Sequence, residues 1–136
     1  LSVRTDANRY GFATTARVLA RFGILMLANR SWQKKNVLAD KAYTNASISP
    51  SQQPNPSYGY LWSPHGRPVV ASAAGANKPG RLLASAPADM FAAQGKLNRR
   101  LYVLPARKLV ITRLGDQPEK GYDAKFFKLL RAASGG

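Results

Sequence analysis

Two apolar runs separated by one tight turn constrain this chain more than any other feature. Residues 100–104 (RLYVL) alternate, with Leu101 and Val103 on one side and Tyr102 and Leu104 on the other. Residues 109–114 (LVITRL) follow after Pro105-Ala106-Arg107-Lys108, a turn sequence in which proline presets the first bend. A period of two across such a turn predicts an antiparallel hairpin. Residues 90–94 add a small-residue strand that ends at Gly95, so the hairpin extends into a three-strand meander.

Helices are expected on either side of this meander. Over residues 14–29, Val18, Leu19, Phe22, Leu25 and Met26 recur at helical spacing, with Arg17 and Arg21 opposite and Thr14 or Thr15 available as a cap. A last helix is expected over residues 124–133, capped by Asp123, packing through Phe126, Phe127 and Leu130. A shorter helical piece is predicted over residues 38–43. Prolines 50, 54 and 56 bar regular structure in residues 49–57. Residues 58–62 (YGYLW) read as an aromatic strand, and residues 63–88, rich in Ala, Gly, Pro and Ser, as a long loop. The order helix, loops, antiparallel strands, helix is α+β. The chain divides into residues 1–62 (part of a helical lobe and a strand), 63–88 (loop) and 89–136 (meander and C-terminal helix).

Composition narrows the chemistry. The 136 residues carry 21 Lys+Arg against 6 Asp+Glu, a net charge of +15, with no cysteine and one histidine. Disulfide frameworks, thiolate metal sites and Cys nucleophiles are excluded, and one imidazole is too few for a multi-His zinc site. No cofactor or metal is expected. The longest apolar stretch, residues 22–28, is far short of a membrane span. The first residues lack the pattern of a signal peptide, and the absence of an initiator Met makes the chain read as a segment beginning inside a longer protein. The positive excess attracts polyanions such as nucleic acid, anionic lipid headgroups and acidic wall polymers. The bases are dispersed, however, with pairs such as Lys34-Lys35 and Arg99-Arg100 as the longest runs. A solvated basic surface is therefore favoured over a dedicated nucleic-acid role.

Four stretches, in order, resemble the C-terminal part of the β-lactamase-type serine hydrolases, which include class C β-lactamases and penicillin-binding-protein-related esterases. They are residues 14–23 (TTARVLARFG), similar to that family's T-A-R-D-L-A-R-F-G helix start, and residues 55–62 (NPSYGYLW), similar to its N-P-x-Y-G-Y-L-W. Ala86-Pro87-Ala88-Asp89-Met90 leading to Gly95-Lys96 comes third. Fourth is residues 100–105 with 109–115, similar to its Y-V-x-P…L-V-V-x-R-L-G hairpin. The match spans nearly the whole chain. It departs at Val18, where an Asp is usual, and at Arg99, where many members carry Gln, removing groups that would orient neighbours.

The resemblance implies a β-lactamase/transpeptidase-like fold, an antiparallel sheet with flanking helices, of which only the C-terminal portion is here. It implies hydrolysis of a small-molecule amide or ester through a serine acyl-enzyme, with S-x-x-K and Y-x-N motifs supplied upstream of residue 14, outside this chain. It also implies a periplasmic or secreted location. Residues 31–34 spell S-x-x-K and residues 43–45 spell Y-x-N. Both occur after the point where the family's motifs belong, and Ser31 follows a helix end instead of opening one. They are read as chance matches. By position, Gln94, Gly95, Lys96 and Asn98 occupy the sheet-edge segment that meets substrate. Gly95 would admit a ligand close to the backbone, and Lys96 would hold a substrate carboxylate or join the nucleophile's proton network. An ordinary strand end with a solvated lysine fits as well. Tyr60 and Trp62 would line the cleft or pack on the first helix, and His65 is expected in a surface loop. The sheet would be completed beside residues 109–114 by the N-terminal half or by self-association. The alternative from another class is a non-catalytic basic module that binds a polyanion such as nucleic acid.

Overall fold

The computed structural model describes residues 2–6, 9–51, 55–66, 69–71, 77–79, 81 and 83–134. The elements run in the order β1 (Ser2–Asp6), β2 (Arg9–Ala13), α1 (Ala16–Leu27), β3 (Ser31–Trp32), β4 (Lys35–Asn36), α2 (Lys41–Ser47), β5 (Ser63–Pro64), β6 (Val69–Ala71), β7 (Asn77–Pro79), β8 (Phe91–Gly95), β9 (Arg99–Leu104), β10 (Leu109–Arg113) and α3 (Tyr122–Ala133). Every strand pair among these is antiparallel, and the architecture is α+β. The central sheet has the order β10-β9-β8-β5. The strand pairs β1–β2, β3–β4 and β6–β7 stand as separate two-stranded ribbons.

The meander forms as its alternation requires. Leu109 faces Leu104, and Phe91 faces Val103. The turn between β9 and β10 is a single 3-10 turn, Pro105–Arg107, closed by Lys108 in the left-handed region. The Ala106 N–H donates to Asp89 Oδ2 at 2.6 Å, which ties this turn to the approach of β8.

Residues Leu101, Tyr102, Val103 and Leu104 are all buried, so β9 is covered on both faces. Leu101 and Val103 join Phe91 and Trp62 beneath Leu19, Met26 and Leu27. Tyr102 and Leu104 join Met90, Ala92 and Phe127, flanked by Phe126 and Leu130. The result is three layers, with α1 on one face of the sheet and α3 on the other.

Helix α1 approaches most closely at Gly23. A Cβ there would lie 2.5 Å from Val110 Cγ1 and 2.8 Å from Leu101 Cδ1. The glycine turns the helix so that its inward stripe is Leu19, Gly23, Met26 and Leu27. Phe22, expected inside, stays 44% exposed.

Several expectations need correction. The second helix starts at Lys41, not at residue 38, because Asp40 caps it by accepting from the Tyr43 N–H at 2.8 Å. Residues 58–62 form no strand. Leu61 has φ 66, and the segment is a bend closed by Gly59 N–H to Trp62 O at 2.7 Å. The two-residue strand that joins the sheet follows it, with Ser63 opposite Ala92. Residues 63–88 are less open than a loop, since they include β5, β6 and β7. Pro54, expected to break structure, and Leu82 lie outside the described residues.

Asp123 does not cap α3. That helix opens behind Gly121 in a left-handed conformation, and the Asp123 carboxylate instead accepts from Asn98 Nδ2 at 2.9 Å. No described helix is long and apolar enough to cross a membrane. Among the described residues, β10 pairs only with β9, so its outer edge has no strand partner.

Candidate functional site

A cleft of about 680 Å³ lies between α1, α2 and the aromatic bend. Each wall has a local cause. Thr15 Oγ1 accepts from the Val18 N–H at 3.3 Å and starts α1, which presents Val18, Leu19, Phe22 and Met26. The chain then reverses through Asn29 and Arg30, both at positive φ, into the ribbon β3–β4. The two residues at the tip of that ribbon, Gln33 and Lys34, have φ 47 and φ 64, values typical of a tight hairpin turn. Arg30 is buried and donates to Leu38 O, fixing residues 37–40 as the next stretch of wall.

The aromatic bend closes the far side. Tyr60 N–H donates to Ser47 O at 3.0 Å, strapping the bend across the end of α2. Gly59 is required there, because a Cβ would lie 2.1 Å from that same carbonyl. Trp62 stacks on Phe22 at 5.9 Å and meets Phe91 edge-on at 5.1 Å. At the mouth, Tyr43 and Tyr60 stack at 5.6 Å. Ala93 of β8 and Leu101 of β9 reach the cleft from the sheet. The lining is apolar apart from Asp40 and the hydroxyls of Tyr43, Thr44, Ser47 and Tyr60. Thr44 and Ser47 spend their hydroxyl protons on Asp40 O and Thr44 O, each at 2.7 Å.

The residues singled out from sequence divide between two places. Tyr60 and Trp62 both line the cleft, Tyr60 47% exposed at its mouth and Trp62 buried at its wall. Gln94, Gly95 and Lys96 are exposed at the end of β8, one residue past the cleft-lining Ala93. Gln94 Nε2 donates to Ser63 Oγ at 2.8 Å, which holds the strand end against β5. Asn98 turns the other way, toward α3, and commits its amide to Asp123. Ser31 sits in the β3–β4 ribbon, with its Oγ donating to Asn36 Oδ1 at 3.0 Å, and Tyr43 and Asn45 lie on α2. These positions bring no serine to a helix N-terminus.

Two groups were not foreseen. His65 is buried, not in a surface loop, and neither ring nitrogen has a hydrogen-bond partner of good geometry. Burial first, then the positive charge of Arg81, lowers its pKa, while the Leu83 and Ala86 carbonyls oppose that shift. Beneath the other face of the sheet, Tyr102 and Asp123 share a buried corner with Arg100, whose Nε is 3.8 Å from Asp123 Oδ2. Neither Tyr102 OH nor Asp123 Oδ1 has a hydrogen-bond partner of good geometry. Burial, then the neighbouring Asp123, raises the Tyr102 phenol well above its ordinary range. The i, i+2 spacing of Arg100 and Tyr102 in the alternating strand was the available signal, because it places both on one face. Among the described residues, no three carboxylate or imidazole groups gather as a metal site. No family model matches the chain, and no curated protein matches it.

Proposed function

We propose that this chain is the C-terminal portion of a serine hydrolase of the β-lactamase and penicillin-binding-protein type, acting on an amide or ester. The observation that carries the reading is the run of four family-like stretches in order, at residues 14–23, 55–62, 86–96 and 100–115. The layout of the cleft supports it. An apolar chamber lies between α1 and the sheet, and β8 enters it at Ala93. Strand β8 is paired with β5 only at Phe91 and Ala92, so toward Gly95 its outer side has no strand partner among the described residues. Such an edge can pair with an extended substrate, and its amides can stabilise the developing oxyanion.

In this reading the nucleophilic serine lies on a segment outside these residues. Its Oγ bonds to the substrate carbonyl, the leaving amine or alcohol departs with a proton, and water then releases the acid and restores the serine. Lys96, exposed at the strand end, offers a cation to a substrate carboxylate. A periplasmic or secreted location accompanies the proposal.

The reading frame upstream of Leu1 provides the test. An S-x-x-K followed by a Y-x-N is expected there, and the extended product should hydrolyse nitrocefin or a p-nitrophenyl ester. The 136-residue chain alone should do neither above background. An upstream frame without those motifs, or fluorophosphonate labelling of Ser31 in the isolated chain, overturns the proposal.

A further inference from the structure

We infer that the mouth of the cleft is a docking surface for an anionic lipid bilayer, a role that goes beyond the hydrolase reading and does not rest on it. Eight large apolar side chains stay exposed among the described residues, and five of them (Phe22, Val37, Tyr43, Tyr60 and Leu61) ring this one cleft. Leu61 is 72% exposed at a residue with φ 66, in a bend pinned by the backbone bonds of Gly59 and Tyr60. A leucine held out in water by a fixed backbone is unfavourable unless something apolar receives it. The stacked pair Tyr43–Tyr60 adds rings that carry hydroxyls, which suits the boundary between headgroups and acyl chains.

The charges on the same elements supply the second half of the argument. Arg17 and Arg21 on α1, Lys34 and Lys35 at the β3–β4 tip, and Lys41 at the start of α2 are all exposed. Arg21 lines a smaller depression of about 420 Å³ that shares Phe22 and Val37 with the main cleft. The only acid in residues 14–48 is Asp40, and one of its oxygens is occupied by the Tyr43 N–H.

Protruding apolar and aromatic residues on elements that also carry exposed cations are the combination that anchors a protein at an anionic membrane interface. The apolar area partitions into the acyl boundary while the bases meet lipid phosphates. A nucleic acid would satisfy the bases and leave Leu61 and Val37 in water. A neutral small molecule in the chamber would use the apolar wall and leave the bases without a role.

The test is co-sedimentation of the full 136-residue chain with phosphatidylcholine vesicles, plain or with a quarter of phosphatidylglycerol. Binding to the anionic vesicles should be at least about tenfold tighter than to the plain ones, since each base near the surface contributes roughly fivefold. Leu61→Asp should weaken binding by about tenfold with an unchanged circular dichroism spectrum, because the side chain packs on nothing whose loss would unfold the chain. Arg17→Glu with Arg21→Glu should weaken it by a similar or larger factor. Equal binding to both vesicles overturns the inference. So does Leu61→Asp binding as tightly as the parent while duplex DNA competes as well as lipid, an outcome that assigns the surface to polyanions in general.

Discussion

The two faces of β9 carry similar apolar residues and meet different fates. On the α3 face, Tyr102, Leu104, Met90, Ala92 and Phe127 close completely, with Phe127 only 1% exposed. On the α1 face, the layer closes directly over Leu101 and Val103 and then falls open toward α2, leaving the cleft. The cause is side-chain size and spacing. On the α3 side, Phe126, Phe127 and Leu130 fall on successive inward positions and fill the space, with Tyr102 and Phe127 meeting edge-on at 5.0 Å. On the α1 side, Gly23 lets the helix sit close to the sheet at one point, and Phe22 swings outward to become a wall of the opening. Equal hydrophobicity in the sequence thus gives a core on one side and a concavity on the other.

The sharpest way to break this comparison is to truncate one apolar side chain in each region. Phe127→Ala removes a fully buried ring and should cost about 3–5 kcal/mol, read from the shift of the urea midpoint at constant slope. A loss below about 1 kcal/mol would mean that the α3 layer is loosely packed and the contrast is false.

His65, at the edge of the closed region, should give a smaller and pH-dependent effect. Its folded pKa lies below the ordinary 6.5, so the neutral ring is the form the fold accepts. The stability tied to it is fully present above pH 6.5 and is lost as the pH falls from there toward the lowered folded value. Denaturant midpoints should therefore decline below pH 6.5 in the parent, and His65→Leu should remove that part of the decline. A parent and a variant with the same pH profile would show that the ring already finds a proton acceptor when charged.

The smallest effect belongs to the open region. Leu61→Ala should change stability by no more than about 0.5 kcal/mol, despite deleting as many apolar carbons as a typical core truncation. A cost near that of Phe127→Ala would show that Leu61 is packed in solution.

The sequence disclosed elements whose signal is local. The meander was legible because alternation in residues 100–104 and 109–114 is a property of consecutive residues, and α1 because its apolar positions recur at helical spacing. What escaped depended on partners distant in sequence. The inward face of α1 was misjudged because the space over Gly23 is set by Val110, 87 residues later. Tyr58 to Trp62 looked like a strand by composition, yet Gly59 and Tyr60 are held by the end of α2, a contact that no local pattern announces. Asp123 resembles a helix cap because it precedes a helical run, whereas it lies inside α3 and its Oδ2 accepts from Asn98. For the candidate site, motif position points to Tyr60, which lines the cleft, and to Gln94, Gly95 and Lys96, which lie exposed just beyond it. The burial of His65 was not legible, because nothing in Ser63-Pro64-His65-Gly66 marks it as interior.

The strand order β10-β9-β8 followed by α3 has a consequence in time. These elements are consecutive in the chain, joined by short connections, and they bury their own face without help from α1. Forming contacts between near neighbours closes only small loops, which is the fast route in folding. Residues 89–133 are accordingly expected to assemble first. Strand β5, the bend at Trp62 and helix α1 then dock onto a surface that already exists, and the cleft is the last part of the molecule to acquire its shape.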